Sequence, residues 1–204
     1  MKHGRFFRSA ILLTSIFLCV AVPAGAYKIL YAEQWYRLFH LHFYQYPTDL
    51  NENIWYLEEA LKADFANPLN ALGKVDNPDE WARYRDLFRM HINLKLTELY
   101  RLLASKYDKR VAYFFNKPWQ TTNLKSLEMA EYYYNTALYY WDQTLYWSAF
   151  ASDSSLKLND LQAWMEENYR IETYDLDYGE YIELDLERLE QVREDFLAMD
   201  ENTY

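Results

Sequence analysis

The stretch NPDEWARYRDLFRMHINLKLTELYRLLASK, residues 77–106, decides the fold. Asn77 is a helix-capping residue, and Pro78 follows at the first helical position, where its missing N–H has no partner to lose. Asp79 and Glu80 suit the positive end of the helix dipole. No Gly or Pro then interrupts the chain until Pro118. Trp81, Tyr84, Phe88, Ile92, Leu96, Leu99 and Leu103 keep helical steps, and Leu87, Met90 and Leu94 widen the stripe. The spacing predicts a helix over 78–106, about 43 Å long and packed on two sides.

Helices are expected on both sides of it. Residues 27–44 carry Ile29, Ala32, Trp35, Tyr36, Phe39 and Phe43 at helical steps, and Pro47 ends the run. Asp49 with Glu52 three residues on is a capping-box arrangement. The helix it opens carries Ile54, Leu57, Leu61 and Phe65 on one face, before a loop at Pro68 to Gly73. Beyond the central helix, Asp108 is expected to open a short helix through Phe115, and Asn116-Lys117-Pro118-Trp119 reads as a turn. A second long helix follows over 123–150, with Leu127, Ala130, Tyr134, Ala137, Trp141 and Leu145 inward. Residues 152–159 read as a loop, and Asn159 as the cap of a helix carrying Leu161, Trp164, Met165 and Tyr169. The fold class is all-α, a set of stacked antiparallel helical hairpins without disulfides.

Composition narrows the function. With 21 basic against 31 acidic residues, the net charge of −10 argues against nucleic-acid binding, which needs a basic face. Only 4 glycines in 204 residues disfavour all-β folds and phosphate-cradling loops.

Residues 1–26 have the layout of a secretory leader. Lys2, Arg5 and Arg8 precede an uncharged apolar run from Ser9 to Val22, and Ala24-Gly25-Ala26 supplies small residues before Tyr27. The alternative is an uncleaved membrane anchor, for which the run is short. Ile16-Phe17-Leu18 before Cys19 are too bulky for a lipid-attachment site. Cleavage would leave no cysteine and a net charge of −13. A periplasmic location is expected, with membrane contact only through an uncut leader.

Three segments result: 1–26 as leader, 27–171 as helical domain, and 172–204 as an acidic linker and C-terminal helix. The last holds 12 acids and two bases, Arg188 and Arg193. Ile182, Leu186, Leu189, Val192 and Phe196 restore a helical period there. The segment reads as a helix docked on the core. The alternatives are an arm for a basic partner, or a calcium site at Asp175, Asp177 and Glu180, whose spacing is incomplete.

Ala130, Tyr134 and Ala137 resemble the second-helix pattern of tetratricopeptide repeats, in which alanines let helices touch and an aromatic fills the gap. Ala60 to Pro68 resembles the run that closes such repeats. Asn53 and Leu57 depart from the pattern in the earlier copy, Leu41 stands where glycine is usual, and Pro118 breaks the later first helix. A narrower resemblance rests on residues 55–62, 88–94 and 113–119, which are similar to secreted helical proteins of spirochaetes. Some of those proteins build the periplasmic collar of the flagellar motor. The resemblance implies a scaffold contacting collar or motor components, with no catalytic residue to carry over.

The sequence carries few signatures of catalysis. There is no nucleophile elbow and no Gly-rich loop. His40 and His42 lie two apart, on different helix faces, and neither they nor His91 has zinc or di-iron spacing. Each reads as a satisfied helix residue. Glu33, Glu58, Glu59, Glu98, Glu128 and Glu131 are available for carboxylate chemistry, but nothing in the sequence marks one as buried beside a cleft. No catalytic residue, cofactor or metal is expected. The aromatics Tyr132, Tyr133, Tyr134, Tyr139, Tyr140, Trp141, Tyr146 and Trp147 would encircle one helix. Trp119, Tyr139, Tyr140 and Trp141 are the expected partner-binding residues, because Tyr and Trp dominate interface hot spots. The leading expectation is a non-catalytic scaffold binding envelope proteins. The alternative is a module for a small ligand or a cell-wall glycan.

Overall fold

A computed structural model of the protein describes residues 28–112, 117–152, 158–200 and 202. The leader reading at 1–26 lies outside the described residues. The described chain is all-α: α1 (Ala32–Gln45), α2 (Leu50–Lys62), α3 (Pro78–Tyr107), α4 (Lys117–Ala151), α5 (Gln162–Glu172) and α6 (Tyr178–Ala198). Short 3-10 turns at Pro68–Asn70 and Asn159–Leu161 join them.

The starts follow from local chemistry. Asp49, Asn77 and Asp177 each accept a backbone N–H from the residue three places on, Glu52, Glu80 and Glu180. At α1 the roles reverse: Gln34 reaches back and accepts from Leu30 and Tyr31, so the helix begins at Ala32 and Ile29 stays outside it. Four other boundaries differ from the sequence reading. Asp108 closes α3 rather than opening a new helix, its N–H bonding Ala104 O. Lys117-Pro118-Trp119 is the first turn of α4, since proline in a first turn loses no helical hydrogen bond. Asn159 does not cap α5; Leu161 holds that position with no side-chain cap bond. Phe65 lies past the end of α2 at Lys62.

Side-chain pairings give the directions. Arg83 with Ala151 O, Tyr100 with Tyr140 and Ser126 with Tyr107 O run α3 and α4 antiparallel along most of their length. α2 lies antiparallel to α3, with Tyr100 on Glu58 and Lys106 on Thr48 O. α1 folds back on α2 through Trp35 on Trp55 and His42 on Asn53. The architecture is therefore a long antiparallel pair of 30 and 35 residues flanked by helices of 11 to 21 residues. Hairpins of equal length, as a regular repeat would give, are not seen among the described residues.

Two apolar cores result. One joins α1, α2, α3 and α5, with Tyr84, Phe88, Leu57 and Trp164 among its residues. The other seats α6 on α4. Ile182, Leu189, Val192 and Phe196 pack with Leu127, Ala130, Tyr134 and Ala137, so the residues carrying the repeat resemblance form the bed of the C-terminal helix. The acidic segment is thus docked. It carries no long extended linker: five residues separate α5 from α6, with Tyr174 turning in the left-handed region at φ 60°. Gly179 sits in the first turn of α6, where an added Cβ would lie 2.8 Å from Trp141 Nε1. Glycine is there for close approach, not for flexibility.

Glu33 is buried at the start of α1 and accepts the Ala66 N–H at 3.1 Å. Beside it the Ala32 N–H donates to Asp64 O at 2.9 Å. The buried carboxylate therefore closes the end of the α1–α2 hairpin.

Candidate functional site

Two surfaces stand out, one on the outer face of α4 and one between α1, α3 and α5.

The α4 surface is built on a seven-residue recurrence. Tyr132-Tyr133, Tyr139-Tyr140 and Tyr146-Trp147 are adjacent aromatic pairs at seven-residue steps. Each pair meets edge to face, with ring centroids 5.4, 5.2 and 5.0 Å apart. The second member of each pair leans onto α3. Tyr133 lies against Tyr107, Tyr140 stacks on Tyr100 at 5.4 Å, and Trp147 lies under the Arg89 guanidinium at 4.5 Å. The Tyr100 and Tyr140 hydroxyls both donate to Glu58 Oε1, at 2.7 and 3.0 Å.

The first member of each pair faces outward. Tyr132, Tyr139 and Tyr146 are 63, 57 and 53% exposed, and Phe150 continues the line at 57%. At about 100° per residue these four fall on the face opposite Ala130, Tyr134, Trp141 and Ser148, which are buried. The aromatics therefore do not encircle α4; they form a ladder about 27 Å long on its outer face. Four exposed aromatics aligned on one helix face differ from the singly scattered apolar residues that are normal on a soluble surface.

The four expected partner-binding residues separate. Tyr139 is on the ladder, and Tyr140 is half-buried beneath it. Trp141 is buried, with its ring against Tyr178 at 5.9 Å and under Gly179, so it is a core residue. Leu145, expected inward, is instead 43% exposed. Trp119 is exposed but stands about 20 Å along the helix from Tyr132, near Val111 and Phe196. It belongs to a different part of the surface.

The second surface is a cleft of about 470 Å³ walled by Phe39, Phe43, Leu99 and Trp164. Its polar side is a continuous hydrogen-bonded chain. Glu167 Oε2 accepts from His91 Nδ1 at 2.5 Å. That leaves Nε2 of a neutral ring as an acceptor, so the Tyr36 hydroxyl donates to it, at 2.7 Å. Tyr36 Oη in turn accepts from His40 Nε2 at 2.9 Å. Lys95 is clamped between Glu167 Oε1 at 3.2 Å and Glu98 Oε2 at 3.1 Å. The His91 ring stacks on Trp164 at 4.7 Å. Each histidine has its partner, and His42 turns away to Asn53 as the two-residue spacing requires.

The electrostatics follow from burial. Desolvation pushes the His91 imidazole below its usual 6.5 and lowers His40 likewise, so both are neutral near pH 7. Burial pushes the Tyr36 hydroxyl well above its usual range, so it is held protonated and is no nucleophile. For Glu167 burial acts upward, but the His91 hydrogen bond and the Lys95 charge outweigh it and hold the carboxyl below the usual range. That group does not supply the raised-pKa proton donor of a glycosidase. Among the described residues no group of three or more His, Cys, Asp or Glu side chains could hold a metal ion. No helix of the described chain is long and apolar enough to cross a membrane.

The sign of the pH effect is fixed by the lowered histidine. An unfolded chain takes up a proton on His91 near 6.5, while the folded chain resists it. The stabilisation is complete above that pH and is lost as pH falls through the lower folded value. Urea midpoints should therefore fall from pH 7 to pH 5. In His91→Gln, whose amide can bridge Glu167 and Tyr36 without titrating, the slope should be shallower. An equal slope in the two proteins would place the linkage elsewhere.

Residues 79–199 match the profile of a family described as a domain of unknown function, DUF8513. The match runs from the first turn of α3 to the residue after α6 and leaves α1 and α2 outside it. No curated protein and no solved structure matches the chain.

Proposed function

We propose that this protein, which belongs to the DUF8513 family, is a non-catalytic scaffold that binds another protein along the outer face of α4. The observation that carries the reading is the exposed ladder Tyr132, Tyr139, Tyr146 and Phe150. Seven-residue steps keep a stripe in line over several turns, which suits a partner helix lying alongside. The rings are also pre-set: each Tyr is braced edge-on by its half-buried neighbour, so little side-chain entropy is lost on docking.

The leader pattern supports an exported, periplasmic protein whose partners are envelope proteins. The sequence resemblance supports the flagellar-motor collar of a spirochaete as the setting. Nucleic acid, metal and cofactor have no part in the proposed role.

The test is the combined variant Tyr132→Ser, Tyr139→Ser, Tyr146→Ser. Exposed substitutions of this kind change stability by only about 0.5 kcal/mol each, so helical circular dichroism should be retained. Interface aromatics are worth about 2 kcal/mol or more each, so retention of the partner should fall by more than about tenfold. Full retention by the folded variant would remove the ladder from the interface.

A further inference from the structure

The cleft between α1, α3 and α5 is independent of the α4 ladder. We infer that it binds a small organic monocation with an aryl or alkyl body, such as an aryl-alkyl ammonium. Three observations lead there.

The first is shape. The cleft volume of about 470 Å³ lies within the range of small-molecule sites, and its walls are mainly apolar. The second is the wall chemistry. Phe39 and Phe43 stand 5.4 Å apart on consecutive turns of α1, with Trp164 across the cleft on α5. Ring faces attract a desolvated ammonium through their quadrupole. Phe43 is 40% exposed at the rim, one turn beyond the buried Phe39, so it forms a wall open to entry.

The third is the charge balance. Glu98 and Glu167 bring two negative charges, and Lys95 between them brings one positive. Lys95 and Glu98 line the cleft and Glu167 stands behind Lys95; the other ionisable lining groups, His40, His91 and Tyr36, are tied into one hydrogen-bonded chain and are held neutral by burial. The two carboxylates therefore exceed the one ammonium by a single negative charge beside the aromatic walls, and of the two only Glu98 lines the cleft. Glu98 is the one nearer solvent, 31% exposed against 20% for Glu167. Lys95 reaches both of its oxygens, at 3.2 and 3.1 Å, and Tyr178 donates to Oε1 at 3.3 Å, which fixes the carboxylate in place. A bound anion would meet the same surplus as repulsion. Lys95 does not reverse this, since its ammonium is already held by both carboxylates.

The experiment is isothermal titration calorimetry of the full chain with three probes sharing one aryl body: phenethylammonium, phenethyl alcohol and hydrocinnamate. The expected order is cation, then neutral, then anion, with about tenfold or more between the first and the last. Glu98→Gln should remove most of the preference for the cation over the alcohol. Phe43→Ala, at the exposed rim, should weaken both the cation and the alcohol, and it keeps the test valid if Glu98→Gln fails to fold. Binding by none of the three, hydrocinnamate binding as well as the cation, or cation binding unchanged in Phe43→Ala would each overturn the inference. The ladder variant should bind the cation like the parent, which separates this inference from the scaffold reading.

Discussion

Trp164→Ala is expected to lower the unfolding free energy by about 3–5 kcal/mol, the largest single effect in the molecule. Trp164 is 7% exposed and fills the space between three helices. Its ring meets Tyr36 at 5.6 Å, Phe88 at 5.8 Å and Tyr84 at 6.4 Å, and stacks on His91. Removing it takes away the transfer free energy of a large aromatic and leaves a cavity between rings that cannot collapse together. It also removes the surface that holds His91 in line with Tyr36 and Glu167. Domain stabilities are only about 5–15 kcal/mol, so the loss is a large share of the total. Urea unfolding followed by circular dichroism would measure it. A loss below about 1 kcal/mol would mean that α5 is not part of the cooperative core.

Arg188→Ala is expected to cost about 2–4 kcal/mol and to loosen α6. The Arg188 guanidinium donates to Asp108 and Asp185 and reaches Lys109 O, tying α6 to the end of α3. The Asp108 side chain is only 6% exposed, and Tyr134 of α4 also donates to it at 2.9 Å. Without Arg188 a buried carboxylate is left with one hydroxyl donor. Breaking a fully buried pair costs about 3–5 kcal/mol. The figure is reduced here because Arg188 itself is one-third exposed. Adding Asp108→Asn should recover part of the loss, since it removes the stranded charge. Thermal unfolding of the single and double variants measures this coupling. Additive losses in the double variant would show that the pair does not interact.

These two residues also mark how far the sequence could be read. The helices of the long pair were legible, because Asn77-Pro78 starts α3 by local chemistry and the apolar steps persist over eight turns. Asp49 was legible for the same reason. The docking of α6 followed from Ile182, Leu189, Val192 and Phe196 at helical steps. What failed were positions where one residue type serves two purposes. Pro118 signals a turn but also fits a helix's first turn, and Gly179 signals a linker but here admits the Trp141 indole. Trp141 reads both as an inward residue and as one of an aromatic cluster; it lies about 200° around the helix from Tyr139, and only the inward reading holds. The seven-residue recurrence of aromatic pairs was present in the sequence and would have separated them.

The cleft had no local signal at all. Tyr36, His91 and Glu167 stand 55 and 76 residues apart in pairs, and no spacing rule links them. Each histidine does read correctly as a satisfied residue, but the chain they form depends on three helices meeting. The buried Glu33 is similar: its partner is a backbone N–H 33 residues away.

The central claim is that the outer face of α4 is a protein-binding face. The most direct measurement places a photo-crosslinking amino acid at Tyr139, on the ladder, and separately at Leu69, which is 96% exposed but lies in the 3-10 turn after α2 and not on α4. The tagged proteins would be irradiated in native cells and the products identified by mass spectrometry. The account predicts one reproducible envelope-protein adduct from position 139, lost in the Tyr132→Ser, Tyr146→Ser background and absent from position 69. The same background of adducts from both positions would contradict it.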